Sequence, residues 1–294
     1  MGNICWNRRA FMRQVAFTGV AVLGGSQLMS ACGSGESTSG DPGTLGRGRE
    51  QGKLRVGIAN EPPFTQVTAD GTITGVEPDI ARAVLKKIGI TDIEGIVTPY
   101  GQMIPGMQAG RWDMVAAGLF MKKSRCSQVL YTDPTIVSTY SFGVKAGNPN
   151  GITSVAGVKQ TQFKIAAQGG AFEEGILKSA GIPTDRIVQV NDTRSGVEAV
   201  KSARADAVLL PTLSLDELFK NDKTMEATLA IKDAPVTGAG HAFRKNDTEL
   251  FGAYNKALAE LKNSGEFKEI LTKWGFRAED VLTVTTQQLC ATDG

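Results

Sequence analysis

An α/β architecture divided between two lobes follows from three features of this 294-residue chain. Short apolar runs alternate with segments of helical spacing, and between residues 53 and 119 their order is β-α-β-α-β, which requires parallel pairing through right-handed crossovers. A turn-rich break at Gly147-Asn148-Pro149-Asn150-Gly151 is followed by a second series of the same kind. The composition, 41% hydrophobic and 21% charged, can bury one large core or two smaller ones, and the repeated pattern favours two.

Residues 1–31 read as an export signal. Asn7-Arg8-Arg9-Ala10-Phe11-Met12 carries paired arginines of the twin-arginine type, and the apolar run from Val15 to Leu23 is too short to span a bilayer comfortably. Leu28-Met29-Ser30-Ala31-Cys32 resembles a lipobox, in which Cys32 takes a diacylglycerol. An uncleaved amino-terminal helix is the alternative. Residues 32–52, rich in glycine, serine and threonine, are expected to form a flexible tether. Cleavage before Cys32 removes three arginines and no acids, leaving 29 basic against 30 acidic groups. So balanced a body offers no field for nucleic acid, and the membrane is reached through the lipid alone. Cys5 precedes the cleavage point and Cys32 is acylated. Cys126 and Cys290 remain, for which an oxidising exterior favours a disulfide over two separately buried thiols.

Lys53 to Ala59 has strand alternation, and Asn60-Glu61-Pro62-Pro63-Phe64 ends it, because two prolines cannot join a ladder. Asp70-Gly71 is a turn. Ile80, Ala83, Val84 and Ile88 share a helical face that Gly89 terminates. Ile93 to Thr98 is a strand leading to Tyr100, and Gln102 to Ala109 is a helix stopped by Gly110, although Pro105 lies within it. Asp113 to Leu119 is continuously apolar after its first residue, as a strand covered on both faces should be. Just past it come Phe120 and Arg125. Ligands of open α/β sheets lie beyond the carboxyl ends of strands, so Glu61, Phe64, Tyr100, Gly118, Phe120 and Arg125 are expected at one rim.

In the second series, the strand Lys164–Ala167 runs into Gly169-Gly170-Ala171-Phe172, where glycines at a helix start leave backbone N–H groups open to an anion. Phe172 is expected to pack there, with a lid over a ligand as the alternative. Strand Ile187–Val190, helix Arg194–Ser202 and strand Asp206–Leu210, ending at Pro211-Thr212, complete the set. Gly238 to Phe243 reads as a returning strand, and Leu250, Tyr254, Leu258 and Leu261 mark an amphipathic helix over 248–262. Trp112 and Trp274 are expected to pack, and His241 to serve structure. With no HExxH, Cys/His cluster, calcium loop or Walker run, neither metal nor other cofactor is expected. No apolar stretch after residue 32 is long enough to cross a bilayer.

The opening Leu54-Arg55-Val56-Gly57, the Gly75-Val76-Glu77-Pro78-Asp79-Ile80-Ala81 helix start, the Gly110-Arg111-Trp112-Asp113 turn and the arginine after Phe120 together resemble the extracytoplasmic solute-binding proteins of polar-amino-acid ABC importers over residues 53–277. That resemblance implies a bilobed, type II periplasmic-binding-protein-like fold, with lobe 1 as 53–144 plus 239–290, lobe 2 as 145–238, and two hinge strands. It also implies a monomer delivering a small zwitterion to a permease driven by separate ATPase subunits.

Within the family, Asn60-Glu61-Pro62-Pro63-Phe64, Ile93-Glu94-Gly95, Tyr100-Gly101, Ile104-Pro105-Gly106, Ala116-Ala117-Gly118, Arg125-Cys126 and Lys145-Ala146-Gly147-Asn148-Pro149 are similar to the ectoine- and 5-hydroxyectoine-binding members. The likeness implies Phe64, Tyr100 and Phe120 as a cage for a delocalised cation, Glu61 for the ring nitrogens and Arg125 for the carboxylate, with Gly170, Ala171 and Thr212 covering the ligand from lobe 2. Two departures stand out. Pro211-Thr212 occupies the place where amino-acid binders of the family carry an aspartate, and Ala171 stands where a hydroxyl residue often follows the glycine. Lys122 is a second cation near the carboxylate. A polar amino acid or a betaine is the alternative ligand. The alternative of another class is an enzyme resembling cyclohexadienyl dehydratase, with Glu61 as its acid.

Overall fold

The computed structural model describes residues 43–291 and 293. The export segment 1–31, Cys32 and residues 33–42 of the expected tether lie outside the described residues.

The first element corrects the tether. Residues 43–51 form helix α1 (Gly43–Gln51), with Leu45 buried. Glycine content suggested flexibility, but Gly48 is a contact surface: a Cβ there would lie 2.8 Å from Ile90 Cδ1 and 2.9 Å from Leu54 Cδ2. The missing side chain lets the helix lie close on the sheet behind it.

Lobe 1 continues with β1 (Lys53–Ile58), the hairpin β2 (Gln66–Val67) and β3 (Ile73–Thr74), α2 (Val76–Lys87), β4 (Asp92–Val97), α3 (Tyr100–Gln108), β5 (Met114–Val115), α4 (Lys123–Cys126) and β6 (Leu130–Tyr131). Strand β7 (Ile136–Ser138) carries the chain across. Lobe 2 is β8 (Tyr140–Lys145), α5 (Val155–Lys159), β9 (Ile165–Gln168), α6 (Phe172–Ser179), β10 (Ile187–Val190), α7 (Thr193–Lys201), β11 (Ala207–Pro211), α8 (Thr212–Phe219) and β12 (Met225–Ala227). The chain returns through β13 (Thr237–Ala239) to β14 (Ala242–Phe243), followed by α9 (Thr248–Lys262), α10 (Gly265–Lys273), α11 (Ala278–Leu282) and α12 (Thr286–Leu289).

Each lobe has one five-stranded mixed sheet. Lobe 1 has the order β4-β1-β5-β14-β6, with β1 parallel to β4 and β5, and β14 antiparallel to both neighbours. Lobe 2 has the order β10-β9-β11-β8-β12, with β9 parallel to β10 and β11, and β8 antiparallel to β11 and β12. The antiparallel pair β7–β13 forms the crossing, with Val137 opposite Gly238.

This pairing corrects the lobe boundary. Residues 140–144 were expected in lobe 1, but β8 lies inside the lobe 2 sheet, where Tyr140 opposes Pro211 and Gly143 opposes Val208. The turn-rich stretch after Lys145 is a turn within lobe 2. Two strands are also shorter than their apolar runs. β5 stops at Val115 and Gly118 turns the chain at φ +68°, while Gly240 separates β13 from β14 in a place where a Cβ would meet the Thr132 carbonyl at 3.0 Å.

Trp112 packs against Gly57 and Gly106 and donates to the Met103 carbonyl at 3.0 Å, clamping α3 on the sheet. Trp274 donates to Asp79 at 2.9 Å. His241 is buried with Nε2 2.8 Å from Glu77 and Nδ1 on the Tyr254 hydroxyl; Thr135 donates to the same carboxylate. That satisfied network ties α2, α9 and the return strand together. Cys126 and Cys290 form a disulfide, Cα to Cα 5.9 Å, holding α12 against α4. Beside it Leu289 packs on Gly238 of the crossing, and Thr286 donates to the Thr132 carbonyl. Among the described residues no helix is long and apolar enough to cross a membrane.

Candidate functional site

The two lobes meet over a small cavity lined by Glu61, Tyr100, Gly118, Phe120, Arg125, Ala171, Phe172 and Glu173. The first five come from lobe 1 and the last three from the start of α6. Six of the nine residues proposed from the sequence therefore lie on its wall: Glu61, Tyr100, Gly118, Phe120, Arg125 and Ala171.

Arg125 is buried on the short helix α4, close to the turn that follows Gly118. Its Nη1 donates to the Phe120 carbonyl at 2.6 Å and its Nη2 to the Gly170 carbonyl of lobe 2 at 2.7 Å. The guanidinium is thereby fixed in plane and bridges the lobes. Glu61, at the carboxyl end of β1, is fully buried and takes a hydrogen bond from Ser214 Oγ at 2.8 Å and one from Gln168 Nε2 at 3.3 Å, both from lobe 2. Burial pushes its pKa up, and these donors oppose the shift. Tyr100, at the start of α3 instead of a strand tip, donates its hydroxyl to the Ala117 carbonyl at 2.8 Å and turns its ring to the cavity.

The rings form a connected set. Phe120 meets Phe172 edge-on at 6.2 Å between centroids and Tyr140 at 5.9 Å, while Tyr140 and Phe172 stack with planes 7° apart. Phe172 thus lines the cavity from lobe 2. Phe64 does not line the cavity. The turn closed by Thr65 N–H to Glu61 O tucks it behind Gly118 and against Phe276, and it reaches the site only through its edge contact with Phe120 at 5.7 Å. The rings on the cavity wall are Tyr100, Phe120 and Phe172, with Phe64 behind Phe120.

Two lobe 2 expectations are also corrected. Thr212 is not on the cavity wall: its hydroxyl pairs with Thr139 at 3.0 Å and Ser141 at 2.9 Å, and Ser214, two residues on, reaches Glu61 instead. Gly170 does not leave an open N–H, because Glu174 Oε2 accepts it at 2.8 Å, and the Ala171 N–H goes to the Gln168 carbonyl. Gly170 instead supplies its carbonyl to Arg125 and packs its backbone closely against Gly101 of lobe 1. Lys122 is half-buried beside Arg125, and burial followed by that neighbouring charge lowers its pKa.

Sequence reasoning did not single out Glu173, Ser214 or Gln168. Glu173-Glu174 reads as ordinary acid at a helix start, where it complements the dipole. Ser214 and Gln168 acquire a role only when the lobes close.

Gly170 has φ +75°, and a Cβ on it would lie 2.7 Å from Gly101 Cα and 3.1 Å from Gly101 N. Gly170→Ala is expected to hold the lobes apart, weakening ligand binding by roughly five- to hundredfold for about 1–3 kcal/mol of overpacking. Calorimetry on the folded variant checks it, and unchanged affinity would show that this approach is not needed for binding.

Two α/β lobes on a pair of crossing strands, closing over a cavity with an arginine, carboxylates and rings, define a solute-binding protein. The sequence model of the bacterial extracellular solute-binding proteins, family 3, matches residues 54–277, and the chain belongs to that family. The chain is 33% identical over 261 residues to the Sinorhizobium fredii protein named probable amino-acid ABC transporter periplasmic-binding protein y4tE, covering 84% of this chain and 86% of the relative. It is 28% identical to the arginine-binding extracellular protein ArtP of Bacillus subtilis, covering 84% and 92%. Among solved structures, EhuB in complex with hydroxyectoine is 43% identical with a TM-score of 0.81, covering 84% of this chain and 97% of that one. The ancestral amino-acid-binding protein AncCDT-1, described as a precursor of cyclohexadienyl dehydratase, is 26% identical with a TM-score of 0.69, covering 79% and 99%. The chain is a substrate-binding component of an amino-acid-type ABC importer.

Proposed function

We propose that the chain captures a compact zwitterion of the ectoine or 5-hydroxyectoine type and presents it to the permease of its importer. The observation that carries this reading is the convergence of Tyr100, Phe120 and Phe172 with Arg125 and Glu61 on one cavity between the lobes. Rings suit a weakly hydrated, delocalised cation, and a planar guanidinium suits a carboxylate. The likeness to EhuB, whose structure holds hydroxyectoine, supports the same choice.

On this reading the ligand enters between separated lobes, meets Tyr100, Phe120 and Arg125, and is covered by Gly170, Ala171 and Phe172. The domain assignment that goes with it is an export signal over 1–31, lipid attachment at Cys32, lobe 1 carrying the fixed half of the site, and lobe 2 between β7 and β13. Thermal-shift titration with hydroxyectoine, ectoine, glycine betaine and arginine tests the ligand class. A rise in melting temperature that grows with hydroxyectoine concentration is expected, since about a hundredfold excess over Kd adds roughly 2.7 kcal/mol. A response to arginine alone would replace the reading with that of an amino-acid binder.

A further inference from the structure

Glu61 and Glu173 are both buried, come from opposite lobes, and line the same cavity. Two adjacent buried carboxylates do not both ionise readily, and the hydrogen bonds show which is the anion. Glu61 accepts from Ser214 and Gln168, donors that favour its charged form. Glu173 has only its own backbone N–H for support.

The other charged and titratable groups around Glu173 do not change that order. From lobe 1 it is faced by Glu61, Tyr100, Lys122 and Arg125, and from β8 by Tyr140. Arg125 and Lys122 favour its anion, but Arg125 directs Nη1 and Nη2 to the Phe120 and Gly170 carbonyls, and Lys122 is itself half-buried with a lowered pKa. Glu174 on the same helix is engaged by Lys178 at 2.5 Å, by the Gly170 N–H and by Gln189. Glu173 is also the one polar side chain lobe 2 brings to the cavity wall, since Ala171 offers a methyl group and Phe172 a ring.

We propose that Glu173 carries a proton in the closed, ligand-bound protein and donates a hydrogen bond from its neutral carboxyl group to the ligand's carboxylate, opposite Arg125. Glu61 then remains the single anion facing the ligand's cation. This makes the site neutral around a zwitterion of net charge zero and identifies Glu173 as a specificity determinant. The assignment rests on the cavity being the ligand site.

In this structure burial and the Glu61 charge push the Glu173 pKa up to about 8, against the ordinary glutamate range near 4.5 that a water-facing carboxyl in an open cleft would keep. Binding that closes the cleft therefore takes up a proton. By linkage, affinity is highest at low pH within the window between those two values and falls as pH rises through it, by up to about tenfold per unit.

The test is calorimetric titration of the full chain with hydroxyectoine near neutral pH in two buffers of different ionisation heat, repeated across the window and with Glu173→Gln. Uptake approaching one proton is expected, with a Kd for Glu173→Gln within about threefold of the parent at the acid end and a flat pH profile, because an amide donates without ionising. Binding with no proton uptake, or a Glu173→Gln variant that is folded but more than about tenfold weaker, overturns the assignment and leaves Glu173 an ionised acceptor for the ligand cation. No hydroxyectoine binding at any pH refutes the proposed ligand class, and this assignment with it.

Discussion

Arg125→Lys is expected to weaken hydroxyectoine binding by roughly thirtyfold to a thousandfold, about 2–4 kcal/mol, the range for disabling a buried, hydrogen-bonded charge. Arg125 holds the Phe120 carbonyl in its own lobe and the Gly170 carbonyl in the other with separate nitrogens, so its plane is set before a carboxylate arrives. An ammonium has one nitrogen and no plane, and cannot span both carbonyls while pairing a carboxylate. Phe120→Ala is expected to act in the same direction, because that ring touches Phe64, Tyr140 and Phe172 together. Calorimetry on variants with parental circular dichroism checks both. Affinity within about threefold of the parent for both would place the ligand elsewhere.

The Cys126→Ser, Cys290→Ser double variant is expected to lose the most stability. The disulfide joins residues 164 apart in sequence, and chain-entropy arguments give about 5 kcal/mol for a loop of that length, at the upper end of measured effects. The staple also backs the helix carrying Arg125 and presses α12 on the crossing strand at Gly238. Urea unfolding under non-reducing conditions should show a lower midpoint and a slope at least as steep as the parent's, because the denatured chain without the cross-link is less compact. An unchanged midpoint would mean that packing of Leu289 and Thr286 already holds the segment.

Much of this was legible in sequence because strand and helix periodicities are local. The six-residue β1, the α9 helix over 248–262 and the second α/β series sit within a residue or two of their expected places. Arg125 and Phe120 were findable because they follow a strand whose apolar run is continuous. What was hidden depends on groups distant in sequence. Phe64 belongs behind Gly118 only because a glycine there leaves room for a ring, and periodicity does not register that space. The α1 helix was misread because glycine raises chain freedom in isolation yet permits a contact such as that of Gly48 with Leu54 and Ile90. Gln168, Ser214 and Glu173 matter because lobe closure brings them to Glu61, 107 residues away in the case of Gln168 and 153 in that of Ser214.

The docking of α1 on β1 and α9 has a mechanical consequence. A pull applied at residue 43 therefore acts on the half of the molecule that bears Arg125 and Glu61, and not on the β7–β13 crossing.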